Sequence, residues 1–102
     1  MTRIRVCRDD ELEVGEAKKL PVAPPIAVFR TEDGWFALDD TCTHGQASLS
    51  EGFIDGATIE CPLHMAQFCL RTGAALTPPA DKGVSTYPVI IEDGEVFVDR
   101  PS

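Results

Sequence analysis

At 102 residues the chain is long enough for one modest hydrophobic core and too short for a second, catalytic domain, so residues 1–102 are expected to form a single domain. Its 17 Asp and Glu outnumber 9 Lys and Arg, for a formal net charge of -8; this argues against nucleic acid and anionic membrane surfaces, which bind through clustered cations, and favours a basic protein partner. No apolar run approaches the roughly 20 residues that cross a bilayer.

The first stretch, MTRIRVCRDDELEVGE, places charges where a signal peptide needs an apolar segment, which points to the cytoplasm. In a reducing compartment the four cysteines, Cys7, Cys42, Cys61 and Cys69, are poor candidates for disulfides, and metal binding accounts better for some of them. The acidic run at 9–16 reads as a solvated turn.

Short runs rich in Val, Ile, Phe and Thr then follow one another: RIRVC (3–7), IAVFR (26–30), WFALD (35–39), ATIEC (57–61), QFCL (67–70), STYPVII (85–91) and EVFVD (95–99). They alternate in the manner of strands. The pairs Asp33-Gly34, Asp55-Gly56 and Asp93-Gly94 mark three hairpins, the second over 53–61, because Asp-Gly accepts the positive φ of a tight turn. No segment sustains a helical period, and Pro24-Pro25 and Pro78-Pro79 interrupt the remaining possibilities. An all-β, mainly antiparallel fold of about seven strands is expected, with irregular segments near 40–52 and 71–84.

Two of those segments carry the chemistry. TCTHG holds Cys42 and His44; with sixteen residues between His44 and Cys61, ECPLH holds Cys61 and His64. Thiolates suit zinc or iron-sulfur clusters, and imidazole suits both zinc and iron. A single tetrahedral zinc is one solution, although the usual finger groups its cysteines in one pair and its histidines in another. The other is a [2Fe-2S] cluster with two Cys on one iron and two His on the other, each loop giving one ligand to each iron. Cys7 and Cys69 fall in strands and read as small core residues. Trp35 reads as core or partly covered surface. Gly45 and Gly52 are read as relaxing the backbone of the first loop.

The CTH and CPLH motifs, with FCLRTG at 68–73 and LTPPA at 76–80, resemble the Rieske-type ferredoxins that serve bacterial aromatic-ring-hydroxylating dioxygenases, a resemblance running from Thr2 to Asp99. It implies the Rieske fold of antiparallel sheets with two cluster-binding loops, a cluster-binding subdomain over about 40–82, and one [2Fe-2S] cluster. Cys42 and Cys61 would hold the inner iron, and His44 and His64 the outer, more exposed one. Where high-potential relatives carry a loop-tying disulfide, this chain has Ala47 and Leu63; where they place a serine and a tyrosine hydroxyl, it has Ala66 and Phe68. Met65 stands where many relatives have Gly.

A terminal oxygenase would also need a mononuclear iron held by two further histidines, and the chain's two histidines are already assigned. It also lacks a Gly-rich dinucleotide fingerprint. The resemblance therefore implies a carrier with no catalytic residues, working in aromatic hydrocarbon catabolism: it would take single electrons from an NADH-oxidising flavin reductase and pass them to a terminal oxygenase. A small Rieske subunit fixed in a larger oxidoreductase and a zinc-stapled binding module are the alternatives. Gln46, Ala47, Ser48, Leu49, Leu63, Met65 and Ala66 carry no charge and are expected to cap the loops as a docking surface.

Overall fold

The computed structural model describes residues 2–42, 47–62, 66–77 and 82–101. Among them run ten strands: β1 (Thr2–Arg8), β2 (Ala17–Leu20), β3 (Ile26–Thr31), β4 (Gly34–Asp39), β5 (Phe53–Asp55), β6 (Thr58–Glu60), β7 (Gln67–Cys69), β8 (Thr86–Tyr87), β9 (Val89–Glu92) and β10 (Glu95–Arg100). A single 3₁₀ turn, Leu49–Glu51, lies between β4 and β5. Every strand pairing is antiparallel. The sheets are ordered β1-β10-β9, β2-β3-β4-β8 and β5-β6-β7. The all-β expectation holds.

The sheet β2-β3-β4-β8 is the middle layer, and the burial of β3 shows why its sequence is a continuous apolar run. Ile26, Ala27, Val28 and Phe29 are all fully buried. Ile26 and Val28 join Val6, Cys7, Val96 and Val98 on the side of β1-β10-β9, whereas Ala27 and Phe29 join Ile59, Phe68 and Leu70 on the side of β5-β6-β7. Alternating side chains serve two cores, so neither face can be polar. Burying Ile26, Val28 and Phe29 is worth about 1.5–3 kcal/mol each. In β1, consecutive Val6 and Cys7 both reach the core because the register with β10 slips between Arg5 and Cys7, a bulge that turns two neighbours inward.

Several elements depart from the sequence reading. The run 85–91 is two strands in two sheets, β8 beside β4 and β9 beside β10. The break falls at Pro88, which has no N–H to continue a ladder, while its carbonyl accepts the Asp99 N–H at 3.1 Å. Strand β2, sequence AKKL, has no strand-like composition. It is an edge strand with Lys18 and Lys19 exposed, and lysine is how edges discourage further pairing. Of the three Asp-Gly hairpins, only Asp93-Gly94 forms the loop itself, with φ of 52° and 77° between the pair Glu92 and Glu95, as a type I′ turn requires. At the first, Thr31 pairs with Gly34, leaving Glu32 and Asp33 as the loop; at the second, Asp55 pairs with Thr58.

The end of β4 is fastened to β8 by one carboxylate. Tyr87 donates its hydroxyl to Asp39 Oδ1 at 2.6 Å, and the Ser85 N–H donates to Oδ2 at 3.2 Å. Burial and then this carboxylate push the Tyr87 phenol up to about 12. Since the folded value lies above the ordinary 10.0, this stabilisation is complete below that pH and is lost as pH rises through about 12. Tyr87 is the chain's only tyrosine, so alkaline titration of phenolate absorbance reads it alone. Asp39→Asn is expected to move its midpoint down.

Candidate metal centre

Two loops leave the middle and outer sheets at matching positions. The first follows β4: Thr41 bridges Ser48, and the Cys42 N–H donates to the Ala47 carbonyl at 3.0 Å. The second joins β6 to β7: Glu60 pairs with Gln67, and the Cys61 N–H donates to the Ala66 carbonyl at 2.7 Å. Each is a six-residue unit, Cys-x4-Ala, closed by the same backbone hydrogen bond. Cys42 is 1% exposed and Cys61 0%, and both lie in one buried cluster with Ala47, Leu49, Ile59, Ala66 and Phe68. His44 and His64 fall within these two units in sequence and lie outside the described residues, as do Gly45, Gln46, Leu63, Met65 and Pro78-Pro79.

The loops are brought together by a close backbone approach. A Cβ on Gly52 would stand 2.1 Å from the carbonyl oxygen of Glu60, the residue preceding Cys61. Gly52 has φ of -82°, so glycine is required here for contact and not for a left-handed backbone, as the sequence reading had it. Gly52→Ala must push β5 off β6 directly below the second loop. We expect a loss of roughly 1–3 kcal/mol, measured by thermal or denaturant unfolding.

The first loop is held from below by Asp40, which the sequence reading missed. Its side chain accepts the Ser50 N–H at 3.0 Å and the Ser48 hydroxyl, and Lys19 Nζ lies 3.6 Å from Oδ2. Its backbone takes part as well: Asp40 N–H donates to the Pro25 carbonyl at 2.9 Å, and its own carbonyl accepts the Leu49 N–H at 2.7 Å. The available signal was an acidic residue two positions before a ligand-type cysteine, with serines at 48 and 50 to satisfy it.

The second loop is backed by the segment after β7. Leu76 N–H donates to the Gln67 carbonyl at 2.8 Å, and Gln67 N–H to Thr77 Oγ1 at 2.9 Å; Phe68 bridges Ala75. LTPPA therefore begins against the base of the second loop.

The other two cysteines sit elsewhere. Cys7 is 3% exposed in the opposite core, across the middle sheet from Cys42 and Cys61, and burial pushes its thiol up. Cys69 is a correction: it is partly exposed on β7, where a hydrogen bond with the Thr72 side chain holds its thiol below the ordinary value. The outward-facing alternation of a three-residue strand explains its exposure, since Phe68 takes the inward position. None of the four cysteines is in a disulfide.

The docking cap also needs correction. Ala47, Leu49 and Ala66 are buried with the cysteines and cannot face a partner, while Ser48 is half-buried. Exposed apolar groups nearby are Phe53, 63% exposed, and Leu76, 49%. They stand at the two ends of a cross-strand row, Phe53, Glu60, Gln67 and Leu76, which passes one residue before Cys61.

Chemically, two thiols in matched turns sharing a dry interior suit a soft metal centre, and the cluster that holds them has no competing buried cysteine among the described residues. Alanine at 47 leaves no sulfur to bridge the loops, and Ala66 and Phe68, both 0% exposed, bring no hydroxyl to the interior. The donor set fits a [2Fe-2S] group with two thiolate ligands on one iron.

The comparisons with known proteins agree. A family model described as the Rieske [2Fe-2S] domain matches residues 2–88. The 3-phenylpropionate/cinnamic acid dioxygenase ferredoxin subunit of Photorhabdus laumondii is 50% identical over 99 residues, 96% of this chain and 94% of that protein. Among solved structures, the Sphingomonas yanoikuyae B1 ferredoxin superposes with a TM-score of 0.89 at 39% identity, covering 98% of this chain and 100% of that one. A chain in the complex of reduced oxygenase and oxidized ferredoxin in carbazole 1,9a-dioxygenase superposes with a TM-score of 0.91 at 39% identity, covering 94% and 91% respectively. The cofactor is one Rieske-type [2Fe-2S] cluster, which sets aside the zinc reading. The chain belongs to the Rieske [2Fe-2S] domain family.

Proposed function

We propose that this chain is a single-domain, cytoplasmic electron carrier whose cluster is held by Cys42, His44, Cys61 and His64. It takes electrons one at a time from a flavin reductase that oxidises NADH and delivers them to a terminal aromatic-ring-hydroxylating oxygenase. The observation that carries this reading is the pair of buried cysteines, each closing a Cys-x4-Ala turn by the same backbone hydrogen bond, in a chain 47–50% identical, nearly end to end, to the ferredoxin subunits of 3-phenylpropionate/cinnamic acid dioxygenases. The same relatives point to an oxygenase acting on 3-phenylpropionate or cinnamic acid.

The bound cluster would supply a site that accepts and returns one electron without making or breaking a substrate bond. The chain's own residues do the rest. Cys42 and Cys61 offer their sulfurs from a dry core, and the Ala47 and Ala66 carbonyls fix the turns that present them. No helix among the described residues is long and apolar enough to cross a membrane.

The test is reconstitution. NADH consumption driven by 3-phenylpropionate, with purified reductase and oxygenase, should require this protein and rise with its concentration; turnover at the same rate without it would overturn the reading. The row ending at Phe53 supports a docking role. Phe53→Ser is expected to leave the cluster's absorption spectrum unchanged and to slow this coupled rate several-fold, since an exposed aromatic anchor is the usual energetic centre of such contacts.

A further inference from the structure

We propose that Asp40 is a positioning residue that also holds the cluster's reduction potential down, with Lys19 as its partial counterweight. Among the described residues Asp40 is the only buried carboxylate, at 1% exposure. The chain bends at Asp40 as it leaves β4 and folds back on itself: the Asp40 carbonyl accepts the Leu49 N–H, Thr41 bridges Ser48, and the Cys42 N–H donates to the Ala47 carbonyl. The buried carboxylate therefore stands two residues before the buried Cys42, on the same folded-back segment.

Two consequences follow from that placement. The Ser50 N–H and the Ser48 hydroxyl, which itself lies 2.8 Å from the Ser50 hydroxyl, are gathered on the carboxylate, so the return of the first loop is fixed relative to Cys42. A fixed negative charge in a water-poor interior also opposes the arrival of an electron nearby, because field strength there is far less screened than in water. Lys19 Nζ, 3.6 Å away on a side chain 53% exposed, offsets only part of that charge, since solvent screens its outer end.

The experiment is redox titration of the cluster-loaded protein and two variants, with iron content and electron paramagnetic resonance confirming that the cluster is unaltered. Asp40→Asn keeps the side chain's shape and removes the charge. It should favour reduction about tenfold, which for a one-electron couple is 59 mV upward. Lys19→Gln should move the midpoint the other way by a smaller amount. Loosening of the loop would not produce opposite shifts, so any other pair of shifts overturns the proposal. Should Asp40→Asn fail to load, Lys19→Gln decides alone: a fall supports it, and no change or a rise overturns it. The inference rests on Cys42 as a cluster ligand, and that reading fails separately, if Cys42→Ala retains full iron.

Discussion

Replacing Cys61 by alanine is expected to abolish the cluster: iron falls to background, and the visible absorption and the rhombic resonance of the dithionite-reduced protein disappear. Cys42→Ala should do the same. Cys61 is fully buried, and its backbone is fixed by the bond to Ala66, so no other donor can take its place without moving the turn. Cys7→Ala and Cys69→Ala are the controls, one thiol lying in the opposite core and the other partly exposed on β7. Both should keep the wild-type spectrum. Because a metal group that binds only the folded chain adds its binding free energy to stability, the two cluster-free variants should also melt well below the wild type. A Cys61→Ala protein with an unchanged spectrum would remove the ligand assignment. A wild-type protein carrying zinc and showing no resonance would remove the electron carrier with it.

The ligand-type residues and the β class could be read in the sequence because both are local signals. Short runs rich in Val, Ile, Phe and Thr mark β1, β3, β4, β6, β7 and β10, and a Cys and a His separated by one or two residues in turn-rich segments declare themselves. What escaped depended on tertiary context. AKKL becomes β2 because the buried run of β3 offers it an edge; no propensity of Lys18 or Lys19 announces that. STYPVII reads as one run, and only the missing N–H of Pro88 divides it between two sheets. Gly52 reads as a flexible loop glycine, whereas the structure needs it for the approach to Glu60. The uncharged residues Ala47, Leu49 and Ala66 could be surface or core by composition, and the sharing of one interior with the cysteines decides it. Asp40 is the clearest case. A carboxylate in an acidic chain looks like one more surface charge until Ser48, Ser50 and Lys19 are seen to converge on it.

The midpoint potential should lie near the lower end of the Rieske range, about -150 mV, and should be movable upward from two positions. Hydrogen bonds to the sulfurs stabilise the more negative, reduced cluster. Ala66 closes the second loop, and Phe68, two residues on, projects to the same side; both are fully buried with the cysteines, and neither side chain can donate. Ala66→Ser and Phe68→Tyr would each place a hydroxyl in that interior. A hydrogen bond to a charged group is worth about 1.5–3 kcal/mol, so a bond strengthened on reduction by about half that corresponds to roughly 30–60 mV. The tyrosine carries an extra cost, because Phe68 sits against Ile59 and Ala75 and one added oxygen there overpacks by about 1–3 kcal/mol; its melting temperature should fall while its potential rises. Ala66→Ser should raise the potential with little loss of stability. Titration with redox dyes reads all three proteins. A wild-type midpoint that is clearly positive would mean that the missing hydroxyls do not set the potential, and unmoved midpoints in both variants would overturn control by hydroxyls at these two positions.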